Sequence, residues 1–135
     1  VWRWGGVLEH PKDSKAWDAF GLRKPPHTGG WVLDRAVFAA GPAWVCCVEQ
    51  GWYGHFSRKA SWLYAVGPRP PELRWGRSPV ELPQAMVERY GYEKARRIGV
   101  MAMVGGKDKT RIREATPEPF RDVLLAIARG CRNEI

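Results

Sequence analysis

Residues 44–66 read WVCCVEQGWYGHFSRKASWLYAV. Two apolar, β-rich runs, Trp44–Val48 and Trp62–Val66, flank a polar and aromatic centre, Gly51-Trp52-Tyr53-Gly54-His55-Phe56-Ser57-Arg58-Lys59. Runs of this length and composition read as buried strands. The connection is longer than a two-residue hairpin turn, yet the strands can still pair antiparallel. The centre has two readings: it closes a hairpin, or it presents Trp52, Tyr53, Gly54 and His55 to a base and Arg58 and Lys59 to phosphate.

Working outward, Gly5–Pro11 reads as a short buried strand with a polar tip at Glu9-His10, stopped by Pro11. Asp13 or Ser14 can cap a short helix over 15–20, with Gly21 at its C-terminal stop. Residues 22–30 form a Pro/Gly loop, and 31–40 fits either strand or irregular chain. Downstream, 67–83 holds five prolines and reads as an irregular segment, with Trp75 the tryptophan expected to be most exposed. A polar helix is expected over 84–89, interrupted at Gly91, and 99–106 reads as an apolar, glycine-flanked loop. At the end, Thr116 suits an N-cap and Pro117 the first helical position. Phe120, Val123, Leu124, Ile127 and Ala128 then mark one apolar helical face, closed by Gly130. Before that helix Lys107, Lys109, Arg111 and Arg113 alternate, and an extended backbone would turn all four to one side, as a solvated edge or a phosphate-contacting strip.

The totals suit one domain with one modest core: 135 residues, net charge +8, and a pI near 9.8. A basic balance favours nucleic acid or an anionic surface as partner. Eight tryptophans can fill a core or stack on bases. Three cysteines, Cys46-Cys47 and Cys131, form no disulfide framework and fit a reducing, cytoplasmic setting. In their apolar run Cys46 and Cys47 read as inert. The separated His10, His27 and His55 give no metal-ligand spacing. No apolar run is long enough to span a membrane.

Three pieces share an order: VLEHP with Glu9, YGHFSRKASWLYAVG, and REATPEPF. Together they resemble the C-terminal part of a DNA cytosine-5 methyltransferase, closest to small phage-type methyltransferase-like proteins. That family carries a strand ending in Glu-Asn-Val, a Tyr-Gly-x-Pro-Gln-x-Arg-x-Arg loop leading into a strand, and a closing Arg-x-Leu-Thr-Pro segment that opens a helix. Here His10-Pro11 stands for Asn-Val, Phe56-Ser57 for Pro-Gln, and Ser61 for the second loop arginine. The resemblance implies an α/β fold, the C-terminal half of a Rossmann-like methyltransferase domain ending in an antiparallel strand pair. It implies that Glu9 grips the cytosine ring nitrogen as the catalytic carboxyl. Lys59 would take the place of the first loop arginine, and Arg113 with Thr116-Pro117 that of the closing segment.

The family's Phe-x-Gly-x-Gly cofactor loop and Pro-Cys nucleophile are absent from these residues. The chain is therefore expected to begin partway through the domain and to be inactive alone. S-adenosylmethionine would belong to the complete protein, DNA would be a partner, and a missing N-terminal half would be another. A basic, non-catalytic DNA-binding or accessory phage protein is the alternative reading.

Overall fold

The computed structural model describes residues 4–35, 41–55, 57–79, 84–94 and 115–130. Lys107, Lys109, Arg111 and Arg113 lie outside them, as do Phe56, Cys131 and the apolar segment 99–106. The described chain is mixed α and β, built on one four-stranded sheet. Its strands are β1 (Gly6–Pro11), β2 (Val32–Arg35), β3 (Ala43–Glu49) and β4 (Ala60–Val66). Their order is β1-β4-β3-β2, and every neighbouring pair is antiparallel. The last strand therefore inserts between β1 and β3, which run in the same direction without touching.

The two central strands carry apolar runs because both their faces are covered. On one face Val45, Cys47, Trp62, Tyr64 and Val66 pack with Trp17 and Leu22. Trp17 lies on the short helix α1 (Lys15–Ala19) and meets Trp62 at 5.4 Å between ring centroids and Tyr64 at 6.3 Å, edge-on. Its indole N–H donates to the Arg23 carbonyl at 2.9 Å, so the one polar atom of a fully buried ring is satisfied. On the opposite face Cys46, Val48, Leu63 and Ala65 pack with Trp31 and with Phe120 and Ile127. The last two belong to the C-terminal helix, whose apolar face also brings Val123 and Leu124 onto this cluster.

Most of the local expectations hold. Ser14 caps α1, its Oγ accepting from the Ala16 N–H at 3.2 Å. The polar helix α2 spans Gln84–Tyr90, and the final helix α3 spans Glu118–Gly130. The start of α3 falls one residue later than expected: Pro117, expected at the first helical position behind a Thr116 cap, takes the cap position itself, its carbonyl accepting from the N–H groups of Phe120 and Arg121 at 3.0 Å. Residues 67–79 are irregular, as expected.

Two expectations need correcting. β1 is an edge strand, half-buried along most of its length rather than buried, and Glu9 lies inside it, two residues before its end at Pro11. Trp75 is half-buried, packed edge-on against Trp31 at 6.1 Å, whereas Trp4 is 69% exposed. Among the described residues no helix is long and apolar enough to cross a membrane.

Candidate functional site

The sheet order gathers three distant segments at one end. β1 and β3 finish where β4 begins, so Ser61 lies opposite both Pro11 and Val48. The connection from β3 to β4 starts as a 3₁₀ turn, Gln50–Tyr53. Pairing continues into it: the Gln50 N–H donates to the Lys59 carbonyl and the Gly51 N–H to the Arg58 carbonyl, both at 3.0 Å. Gly54 ends the turn in the left-handed region, at φ 101, where a side chain is strained. Gly51 is required for a different reason. A Cβ there would strike the Ser78 hydroxyl and sit 3.0 Å from the Ser78 Cβ.

His55 is buried beneath this turn. Its Nδ1 lies 3.0 Å from the Ser57 amide nitrogen, 2.9 Å from the Ser57 hydroxyl and 3.2 Å from the Ser57 carbonyl oxygen. Gln50 is fully buried, and its Nε2 donates to the Ser61 hydroxyl at 2.8 Å, tying the turn to β4, while its Oε1 has no hydrogen-bond partner among the described residues. Lys59 has a positive φ of 38 at the re-entry into β4 and is half-exposed.

Glu9 lies opposite Leu63 on the central strand β4. Alternation along β1 puts it on the face of Val7, the face that carries α3. It is half-buried, yet its carboxylate makes no hydrogen bond or ion pair with any described residue. The third segment arrives from α3. Pro117 and Pro119 lie within 4.0 Å of where a Gly54 Cβ would stand, and Tyr53 meets Phe120 at 5.6 Å between ring centroids.

The sequence gives little warning of Glu49. This buried carboxylate accepts from the Ser78 N–H at 2.8 Å and the Ser78 hydroxyl at 3.0 Å through Oε1. His27 Nε2 lies 3.3 Å from Oε2, and Arg58 Nε lies 3.9 Å from Oε1. Glu49 thus fastens the loop 22–30, the turn and the proline-rich segment together. The only trace in sequence is a single acid at the end of an apolar strand.

Cys47 completes a row with this pair, its Sγ 3.8 Å from His27 Nδ1. Thiol, imidazole and carboxylate in line have the order of nucleophile, base and orienter. Here the thiol is 3% exposed, and burial pushes its pKa up against the weaker pull of Lys12, so it stays protonated and the row is structural. Cys46 is also fully buried and shifted upward by burial. Among the described residues no group of three or more His, Cys, Asp or Glu is placed to hold a metal ion.

The irregular segment 67–79 crosses the α3 face as a strap, and tryptophans hold it. Prolines 68, 70 and 71 lack N–H groups, so this backbone cannot build a ladder. Indole N–H groups supply donors instead: Trp44 to Gly67 at 3.1 Å, Trp31 to Pro71 at 3.0 Å, and Trp52 to Gly76 at 3.2 Å, each to a carbonyl. The Arg74 N–H donates to the Tyr53 hydroxyl at 3.0 Å, and Arg58 Nε donates to the Ser78 carbonyl at 2.9 Å. Trp52 and Tyr53 are therefore packing and anchoring residues, each half-buried.

Comparison with protein-family models, with curated proteins and with solved structures finds no match to this chain.

Proposed function

We propose that this chain is the base-facing and DNA-facing portion of an S-adenosylmethionine-dependent DNA cytosine methyltransferase-like protein, the C-terminal half of a Rossmann-like domain. One observation carries the reading. The three segments that resemble the family's motifs, some forty to sixty residues apart in sequence, meet at one end of one sheet. Glu9 arrives on β1, the turn bearing Trp52 and Lys59 between β3 and β4, and Pro117, next to Thr116, against Gly54 at the start of α3. Insertion of β4 between β1 and β3 makes the strand that follows the turn the direct neighbour of the strand bearing Glu9.

Attack on the cytosine ring places charge on the ring nitrogen, and a carboxylic acid there can donate a proton or hydrogen bond. Glu9 suits that task because it is half-buried and not committed to any partner among the described residues. Arg58 and Lys59 at the mouth of the turn would face phosphate, and the alternating cations at 107–113 would extend that surface.

The described residues do not fit the cofactor. The glycine pair Gly29-Gly30 leads into β2 rather than a helix, and a Cβ at Gly30 would sit 3.1 Å from the Trp75 ring. The residues that hold S-adenosylmethionine and supply the nucleophile would therefore come from another part of the protein.

The test is Glu9→Gln in the complete methyltransferase, assayed by single-turnover methylation of duplex DNA alongside a thermal melt. Loss of a general acid predicts a fall in rate of about 10²–10⁴-fold. DNA affinity and melting temperature should hardly change. Full activity in the variant, or no methyl transfer to DNA by the unaltered protein, would overturn the reading.

A further inference from the structure

We propose that the strap itself is a phosphate-binding edge, with Arg74 and Arg77 contacting the backbone of nucleic acid beside Arg58. The proposal rests on the reading that this face meets DNA, and it assigns the contact to residues outside the turn. Three arginines on the strap have two different fates. Arg69 pairs with Glu72 at 3.0 Å and lies over the Trp44 ring at 5.5 Å. Glu72, the only acid between 67 and 79, also accepts from the Trp75 indole at 2.8 Å. With its carboxylate engaged by Trp75 and Arg69, the strap has no acid left for its other arginines.

Arg74 and Arg77 are exposed, and among the described residues no carboxylate lies within ion-pair distance of either. Their backbone is nevertheless fixed. Arg74 is held by its N–H on the Tyr53 hydroxyl, and its guanidinium lies over the Trp52 ring at 6.0 Å, the outer limit of a cation–π contact. Arg77 stands between Gly76, whose carbonyl receives the Trp52 indole, and Ser78, which is locked onto Glu49. Arg58 reaches the same stretch through the Ser78 carbonyl.

Arg58 is thus anchored by its guanidinium, and Arg74 and Arg77 by their backbone, to one short run of chain, where Glu49 is buried and engaged by Ser78. Arg58 has the Glu49 carboxylate at 3.9 Å, but Arg74 and Arg77 have no described carboxylate at ion-pair distance; cations so placed suit a polyanion, and the planar fork of arginine suits phosphate oxygens. A fixed backbone lowers the ordering cost of such a contact.

The experiment measures binding of the chain to a short fluorescent DNA duplex over a range of salt concentrations. For wild type, log K should fall linearly with log salt. If each arginine meets one phosphate, the double variant Arg74→Gln/Arg77→Gln should lower the slope by about 1.8, from a slope of about 0.9 per contact. Arg69→Gln removes the same charge from the same segment, but from an internally paired group, and should leave the slope nearly unchanged. Both variants should melt like wild type, since the altered groups are exposed.

An unchanged slope in the double variant, with wild type still binding, would overturn the strap proposal and leave the DNA reading standing. An equal loss in Arg69→Gln would also overturn it, because the effect would then be net charge alone. No salt-dependent binding by wild type, or binding to phosphatidylserine vesicles in preference to DNA, would overturn both.

Discussion

Removing the carboxylate of Glu49 should unfasten the proline-rich strap from the sheet. The magnitude follows from the partners. Ser78 gives it two hydrogen bonds, at 2.8 and 3.0 Å, in a site where Ser78 is 1% exposed. Bonds to a charged acceptor contribute about 1.5–3 kcal/mol each, and two from one residue are not independent, so about 3–4 kcal/mol is expected together. The contacts to His27 and Arg58 add little. Those side chains are 45% and 41% exposed, and solvent screening holds each pair below about 1 kcal/mol.

Glu49→Ala should therefore cost about 3–4 kcal/mol, because it strands the buried Ser78 N–H and hydroxyl without their acceptor. Glu49→Gln keeps an acceptor for Ser78 but loses the charge, and neutral bonds are roughly half as strong, so about 1.5–2 kcal/mol is expected. For a chain of this size that corresponds to a fall in Tm of about 10–20 °C for the alanine variant and about 5–10 °C for the glutamine variant. The assay is a thermal melt with amide exchange at Ser78, whose N–H should lose protection in the alanine variant. An alanine variant melting within about 2 °C of wild type, with the Ser78 amide still protected, would refute the role assigned to Glu49.

Gly51→Ala should destabilise by about 1–3 kcal/mol in a denaturant titration, because its methyl group would collide with Ser78 across the same junction. A neutral outcome there would mean the strap is not seated as described. Cys46 and Cys47 should resist a thiol reagent in the folded chain at neutral pH and react only as fast as the chain opens. Burial raises both thiol pKa values above 9.0, so their contribution to stability is fully present below that pH and is lost as pH rises and the unfolded chain releases its protons. Stability measured above pH 9 should accordingly fall less steeply in Cys46→Ala than in wild type; equal slopes would contradict the shift.

The elements legible in the sequence are those whose burial pattern is one-dimensional. β3 and β4 show as apolar runs because both faces are covered, and α3 shows as a helical stripe because one face is. β2 is ambiguous because it is four residues long and ends in Asp34-Arg35, so too little apolar pattern is left to read. Strand order is a different kind of information. Nothing in the residues of β1 says that β4 will pair with it, so the pairing of the Glu9 strand with the strand that follows the turn is invisible until the sheet is assembled. Glu49 was missed for a related reason. Its partners are 22 residues upstream and 29 downstream, and a lone acid at a strand end reads as a solvated cap.

The tryptophans change how the composition should be weighed. Aromatic richness beside a basic balance invites the idea of base stacking, but the structure gives most of the described rings another cause. A segment rich in proline brings carbonyls onto the sheet face without the N–H groups to pair them, and those carbonyls need donors at a distance. An indole provides a donor at the edge of a large apolar body, so it can fill the core and satisfy the strap at once. Trp31, Trp44 and Trp52 do this directly, Trp75 does it through Glu72, and Trp17 serves the loop after α1 in the same way. Once those rings have structural work, their number no longer argues for nucleic acid. The argument for DNA moves to Glu9, half-buried and without a hydrogen bond or ion pair to any described residue, and to Arg74 and Arg77, exposed on the tryptophan-held strap with no described carboxylate at ion-pair distance.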